Sequence, residues 1–266
     1  MKEFVVAAVQ IAAAPLDPKT NIAKCRDWLN RAVTDHGAEL VVFPETITTG
    51  FHPGPDPTVL RRLAGAIPGP LTGAIQEDAQ RLGVHVVWPT YELEGDSLYN
   101  SAAVIGPSGE ILGVYRKTHP FPTEQTWTTR ANDPVVVDTA LGRIGLVICY
   151  DGDFPELCRS EALAGAELIV RPSALLRDYE IWSLTNRARA YDNHVWFVAV
   201  NSVGPDAGNN YYFGHSMIAT PLGTIAALAR AGEMIISTRI DPGLAATSMV
   251  QHLRDRNPKA YRGLCE

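Results

Sequence analysis

The sequence predicts an α/β fold: a four-layer α-β-β-α sandwich with a pseudo-twofold internal duplication, formed by residues 1–266 as a single domain. Two observations predict it. Short β-branched apolar runs alternate with stretches whose apolar residues recur at helical spacing, which is the pattern of parallel strands joined by crossover helices. In addition one segment occurs twice, Gly37-Ala38-Glu39-Leu40-Val41-Val42-Phe43-Pro44 returning as Gly165-Ala166-Glu167-Leu168-Ile169-Val170-Arg171-Pro172. Two mixed sheets with helices on their outer faces would bury both copies.

In chain order, Phe4 to Gln10 reads as the first strand, and Ile22, Cys25, Trp28, Leu29, Ala32 and Val33 then fall at helical spacing. Leu40 to Phe43 is a second strand, ending in Pro44-Glu45. A loop rich in Gly and Pro leads to a helix carrying Leu71, Ile75, Ala79 and Leu82, and His85 to Thr90 makes the next strand. Ser101 to Ile105 and Ile111 to Lys117 then form a hairpin through Gly106-Pro107-Ser108-Gly109. The second half repeats this order. Gly145 to Ile148 is a buried strand, and Phe154-Pro155-Glu156 opens a helix with proline in its first turn. Residues 179–192 form another helix, with Trp182, Ala188 and Tyr191 on one side. His194-Val195-Trp196-Phe197 then answers His85-Val86-Val87-Trp88, and Ala219 to Ala227 answers the hairpin Ile105 to Gly113.

A net charge of −6 without any Lys/Arg-rich run argues against nucleic acid or an anionic membrane as partner, and favours a small ligand. The N-terminus reaches a strand at once, with no apolar leader, and no stretch approaches the roughly eighteen apolar residues of a membrane span; a cytoplasmic protein is expected. Cys25, Cys149, Cys158 and Cys265 show no C-x-x-C spacing, so neither a metal site nor a disulfide framework is suggested. The chain has no G-x-G-x-x-G, P-loop, G-x-S-x-G or H-E-x-x-H segment, which removes nucleotide and zinc chemistry.

Ligand sites in open α/β sheets lie beyond the carboxyl ends of the strands, and Glu45, Lys117 and Cys149 all stand at such ends. Cys149 sits where a strand hands over to a helix, a position whose N–H groups and helix dipole favour a thiolate. Singly, each residue has an ordinary reading: a small buried hydrophobe for Cys149, a solvated loop acid for Glu45, an edge-strand charge for Lys117. As a set they fit one chemistry.

Phe43-Pro44-Glu45 with Thr49-Gly50-Phe51, Tyr115-Arg116-Lys117-Thr118-His119, and Cys149-Tyr150-Asp151 with Phe154-Pro155-Glu156 resemble the three signature segments of the carbon–nitrogen hydrolase (nitrilase) superfamily. Arg256-Asn257-Pro258-Lys259-Ala260-Tyr261 resembles its C-terminal stretch, so the likeness runs almost the full length. The resemblance implies the same duplicated fold, a Glu45–Lys117–Cys149 catalytic set, no metal and no organic cofactor. A second glutamate usually follows the lysine, and Glu124 fills that place. Cys149 would attack an amide carbonyl while Glu45 carries protons, and Lys117 with the Tyr150 N–H would face the oxyanion. Glu124 would hold Lys117 or steer the substrate.

Tyr150-Asp151 after the cysteine favours amide over nitrile hydrolysis, and Asp151-Gly152 with Arg171 is similar to the aliphatic amidases and formamidases. Tyr91, Trp127, Tyr150 and Trp182 are candidate walls of a compact acyl pocket, though core or interface packing suits each equally. Arg171 meets either a substrate carboxylate or an acid such as Asp153. The expected activity is an amidase acting on a small amide. Alternatives are an N-carbamoyl amide hydrolase, a nitrilase, a Cys149–His194 or Cys149–His215 protease-like site, and a catalytically silent binding protein. A homodimer or higher homo-oligomer is expected, with the apolar residues between Asp241 and Leu264 packing on a partner or on their own subunit.

Overall fold

A computed structural model describes residues 1–263 and shows how the two halves are wound. The strands are β1 (Phe4–Gln10), β2 (Leu40–Val42), β3 (His85–Glu94), β4 (Ser97–Ile105), β5 (Ile111–Arg116), β6 (Val136–Thr139) and β7 (Gly142–Leu146). They continue as β8 (Leu168–Ser173), β9 (Trp196–Asn201), β10 (Val203–Pro205), β11 (Tyr211–Phe213), β12 (Met217–Ala219), β13 (Ile225–Leu228) and β14 (Met234–Ile240). One sheet runs β14-β1-β2-β3-β4-β5 and the other β6-β7-β8-β9-β12-β13, while β10 and β11 form a small ribbon. In each large sheet three parallel strands carry an antiparallel strand at one end and a hairpin at the other.

The helices are α1 (Pro18–Thr34), α2 (Thr58–Leu63), α3 (Gly73–Leu82), α4 (Pro155–Leu163), α5 (Tyr179–Asn193) and α6 (His252–Asp255). Strand alternation decides the layers. Val6 and Ala8 of β1 face the second sheet, in one core with Ile144, Leu146 and Val198. Ala7 and Val9 face outward, against Cys25 and Leu29 of α1 and Ile75 and Ala79 of α3. Leu157 and Cys158 of α4 and Trp182 and Ala190 of α5 cover the other sheet. Helix α1 starts where the sequence provides a cap, the Asp17 carboxylate accepting from the Thr20 N–H at 3.1 Å ahead of Pro18.

The duplication extends to single hydrogen bonds. The Gly106 N–H donates to Glu110 O at 2.8 Å in one hairpin, and the Thr220 N–H donates to Thr224 O at 2.8 Å in the other. Both hairpins slip register at the same place, Val104/Ile105 and Ile218/Ala219, and Gly109 and Gly223 take the positive φ (85° and 76°) that each turn requires.

Two expectations are corrected. The true counterpart of His85 is Trp196, because Leu40 pairs with His85 and Leu168 with Trp196; His194 instead caps α5 in the left-handed conformation (φ 52°). Tyr191 is not on the buried side of α5 but exposed, because that side is unusually polar, burying Ser183, Asn186, Arg189 and Asn193 beside Trp182 and Ala190. After β14, Leu244 and Leu253 pack on the core of their own subunit while Met249 is 96% exposed. Leu264 and Cys265 lie outside the described residues. No helix is long and apolar enough to cross a membrane among the described residues.

Candidate active site

Strand β7 ends at Leu146, and the chain makes a single 3₁₀ turn over Cys149–Asp153 before α4 begins at Pro155. Cys149 has φ 47°, a conformation that a non-glycine residue holds only where its surroundings fix it. Two side chains fix it. Asp151 accepts from the Ile148 N–H at 2.9 Å, and the Arg171 Nε donates to Cys149 O at 2.7 Å. Gly152 has to be glycine here, because a Cβ at that position would stand 2.2 Å from the Arg171 Nε. Asp151 also accepts from the Tyr115 hydroxyl (2.7 Å) and the His119 N–H (2.8 Å), which ties the turn to the segment carrying Lys117.

Glu45 follows β2, Lys117 follows β5, and Glu124 opens a short 3₁₀ turn in the next loop; all three are buried. The Lys117 Nζ donates to Glu45 Oε1 at 2.6 Å and to Glu124 Oε2 at 2.7 Å. Asn100 of β4 ties the same carboxylates together, its Nδ2 donating to Glu45 Oε1 at 2.8 Å and Glu124 Oε1 at 2.7 Å. The Ala174 N–H, just past β8, donates to Glu45 Oε2 at 2.8 Å. Burial works against the Lys117 charge, but Glu124 and Glu45 outweigh it and hold the ammonium well above its usual range. Burial pushes the Glu124 carboxyl up, against the pull of Lys117.

The expected thiolate is corrected by the same surroundings. Burial and then the Glu45 charge push the Cys149 thiol up to about 12, with Lys117, Arg171 and the Ala174 N–H drawing it only part of the way back. Helix α4 starts too late to compensate, since the 3₁₀ turn separates its N-terminus from the sulfur. Burial thus favours the thiol over the thiolate, and attack by the sulfur calls for a base.

Cys149 opens into a pocket walled by Phe51, Phe121, Tyr150, Leu175 and Leu176, holding about 330 Å³ of non-atom space with its mouth included. Of the residues expected to bind substrate, Tyr150 lines it. Trp127 stands behind Phe51 (ring centroids 6.0 Å apart), and its Nε1 donates to the Tyr91 hydroxyl, which in turn donates to Phe51 O at 2.7 Å. Trp127 and Tyr91 therefore brace the wall instead of forming it. Trp182 and Arg171 are corrected, both being fully buried outside the pocket. The Trp182 Nε1 donates to His215 O at 2.6 Å, and its ring meets the Arg171 guanidinium. Arg171 donates to Asp153 Oδ1 (3.1 Å) and Asn186 Oδ1 (2.7 Å) as well as to Cys149 O, which decides its two readings for the internal ion pair. His194 packs against His252, and His215 bonds Phe213 O; neither lines the pocket. Among the described residues no group of three or more His, Cys, Asp or Glu is placed to hold a metal ion.

Two residues escape the sequence reading. Asn100 had a signal, a polar side chain inside a buried strand that must find partners. Arg177, the one charged side chain among the described residues on the pocket wall, had none, since only the fold brings its loop there.

The sequence profile of the carbon–nitrogen hydrolase family matches residues 5–248. The chain is 33% identical to a probable nitrilase of Schizosaccharomyces pombe, with 97% of each chain covered. It is 30% identical to an omega-amidase of Homo sapiens, covering 91% of this chain and 90% of that one. Among solved structures, a carbon–nitrogen hydrolase from Helicobacter pylori superposes with a TM-score of 0.92 at 26% identity, over 100% of this chain and 99% of the other.

Proposed function

Because the chain belongs to the carbon–nitrogen hydrolase family, we propose that it hydrolyses small carboxylic amides to acid and ammonia through a thioester on Cys149. The observation that carries this reading is the convergence of Glu45, Lys117 and Cys149. Three segments contribute a buried carboxylate and a cation held charged, close enough to act on the thiol electrostatically, and the thiol itself, which opens into the pocket.

Glu45 takes the thiol proton as sulfur attacks the amide carbon, then delivers it to the nitrogen, which leaves as ammonia. Lys117 and the Tyr150 N–H face the carbonyl oxygen as it gains charge. Water, activated by Glu45, cleaves the thioester, releases the acid and restores the thiol. Glu124, accepting from the Lys117 Nζ at 2.7 Å, holds the ammonium in place and charged.

The omega-amidase relative supports an amide substrate, and Tyr150-Asp151 after the nucleophile agrees; the name of the fission-yeast relative keeps a nitrile as the alternative. Ammonia release from short aliphatic and aromatic amides and their matching nitriles tests both. Turnover of amides, together with an acyl mass on the Cys149 peptide, is the expected result. Turnover of nitriles alone, or an adduct on Cys158, would overturn the reading.

A further inference from the structure

We propose that Asp206 is a positioning residue for this active site, holding the peptide bond between Phe51 and His52 so that the Phe51 ring stays beside the Lys117 ammonium. The proposal rests on the amidase reading above and assigns that site a further residue.

Phe51 lies in the loop of residues 43–57, between β2 and α2, where backbone polar groups must find partners outside a strand ladder. The peptide joining it to His52 is gripped from both sides. On one side the Tyr91 hydroxyl of β3 donates to Phe51 O at 2.7 Å; on the other the His52 N–H donates to Asp206 Oδ2 at 3.3 Å. Tyr91 and Asp206 are both buried, so little water competes for that peptide. Tyr91 comes from the sheet whose β2 precedes Glu45, whereas Asp206 belongs to the turn between β10 and β11. Asp206 does not depend on the loop for its own place. Its Oδ1 accepts from the Gly208 N–H at 2.9 Å and the Asn210 N–H at 3.1 Å, and the Tyr212 hydroxyl donates to its Oδ2. The turn also seats closely on the loop, since a Cβ on Gly208 would stand 2.5 Å from the His52 Nδ1.

What this clamp fixes is the Phe51 ring. The ring forms part of the pocket wall, packs with Ala174 and Tyr212, and has its centroid 5.3 Å from the Lys117 Nζ. An ammonium has three donors, and Glu45 and Glu124 take two of them here. An apolar ring at this place keeps the third, which the mechanism turns toward the carbonyl oxygen, from being hydrated.

Asp206→Asn separates the two duties of the side chain. Its one carbonyl oxygen can still accept from the Gly208 and Asn210 N–H groups, while its amide nitrogen cannot accept from His52. Tyr91→Phe releases the same peptide from the other side. Amide hydrogen exchange over residues 50–54 reads the clamp directly, and in Asp206→Asn it should be at least about tenfold faster than in the native protein. For butyramide, kcat counted per alkylatable Cys149 should fall about tenfold in each variant, the scale of a hydrogen bond to a charged group, with KM moving less than kcat. A role in folding alone would lower the number of such sites and leave kcat per site unchanged. The double variant should fall no more than about threefold below the lower single one, because both changes act through one peptide. Unchanged exchange in Asp206→Asn, a kcat within about threefold of native, or additive losses in the double variant overturns the proposal and leaves the amidase reading standing. If Asp206→Asn does not fold, exchange and kcat in Tyr91→Phe decide. If the native protein cleaves no amide and no acyl mass appears on Cys149, the amidase reading fails and this proposal falls with it.

Discussion

The guanidinium of Arg171 donates through Nε to the main-chain carbonyl of Cys149 at 2.7 Å, from a position with no solvent exposure. A charge so buried persists only because Asp153, Asn186 and Thr185 take its other donors. Its place is structural and electrical together, fixing the left-handed Cys149 and drawing the thiol down.

Arg171→Met should accordingly cost about 3–5 kcal/mol of stability, the range for breaking a buried ion pair, with Arg171→Lys intermediate. Urea unfolding measures it. A variant that unfolds at the wild-type midpoint would show that Arg177 alone suffices for Asp153.

Glu45→Gln should lower turnover by at least about a hundredfold, because the resting thiol depends on a base. His194→Gln and His215→Gln, neither of which lines the pocket, should change it less than about threefold by the same scale. The sign of the thiol shift gives a companion test. With its pKa raised to about 12, Cys149 contributes no thiolate absorbance at neutral pH, and the difference spectrum against Cys149→Ala should stay flat until strongly alkaline pH. The opposite ranking of variants, or thiolate at neutral pH, would favour a Cys–His pair.

Asn100→Leu removes an amide donor that, like the Lys117 ammonium, bonds both Glu45 and Glu124. The expected result is a fall in kcat of about tenfold to a hundredfold, on the scale of one hydrogen bond to a charged group, with KM nearly unchanged since Asn100 touches no pocket wall. The acid limb of the pH profile should also move upward, because Asn100 draws the Glu124 carboxyl down. A changed KM with an unmoved profile would assign Asn100 to packing alone.

Glu161 on α4 is fully buried, and neither carboxylate oxygen has a hydrogen-bond partner among the described residues; the nearby Leu146 N–H is committed to Val135 O at 3.2 Å. Burial, and next the Asp151 charge, push this carboxyl well above its usual range. A carboxyl raised in the folded state favours folding below its unfolded pKa near 4.5, and that stability is lost as pH rises through the folded value. Glu161→Met should therefore be more stable than the wild type at neutral pH, by about 1–3 kcal/mol, and the advantage should shrink on acidification. Thermal melts across pH measure both; a variant less stable at neutral pH would show that Glu161 has a partner in solution.

The parallel strands were legible in the sequence because each is buried on both faces and reads as an unbroken apolar run, as in Leu40-Val41-Val42 and Leu168-Ile169-Val170. Glu45 and Cys149 stood out because each follows such a run, and Lys117 because it follows the half-buried antiparallel strand β5. The surrounding roles were not. Arg171 looks the same in sequence whether it faces a ligand or an aspartate, and the choice is made by Gly152, whose missing Cβ lets the guanidinium approach the turn. The two-residue slip at His194 arises because an α5 cap and a first strand residue both sit before apolar runs. The thiolate expectation failed on burial, a quantity that strand-to-helix position does not encode.

Strand β1 lies between β2 and β14, with Phe4 opposite Ile240 and Gln10 opposite Met234. On the ribosome this separates the arrival of two neighbours by almost the whole chain. At bacterial and eukaryotic elongation rates β1 waits roughly ten to fifty seconds for β14, with one backbone edge open and apolar residues on both faces. The sequence repeat suggests that the first half could fold as soon as it emerges. The strand order forbids that: nascent chains ending before residue 234 keep an unpaired edge in the sheet that carries Glu45 and Lys117, and the nucleophile's half must be made before its proton carrier's sheet can close.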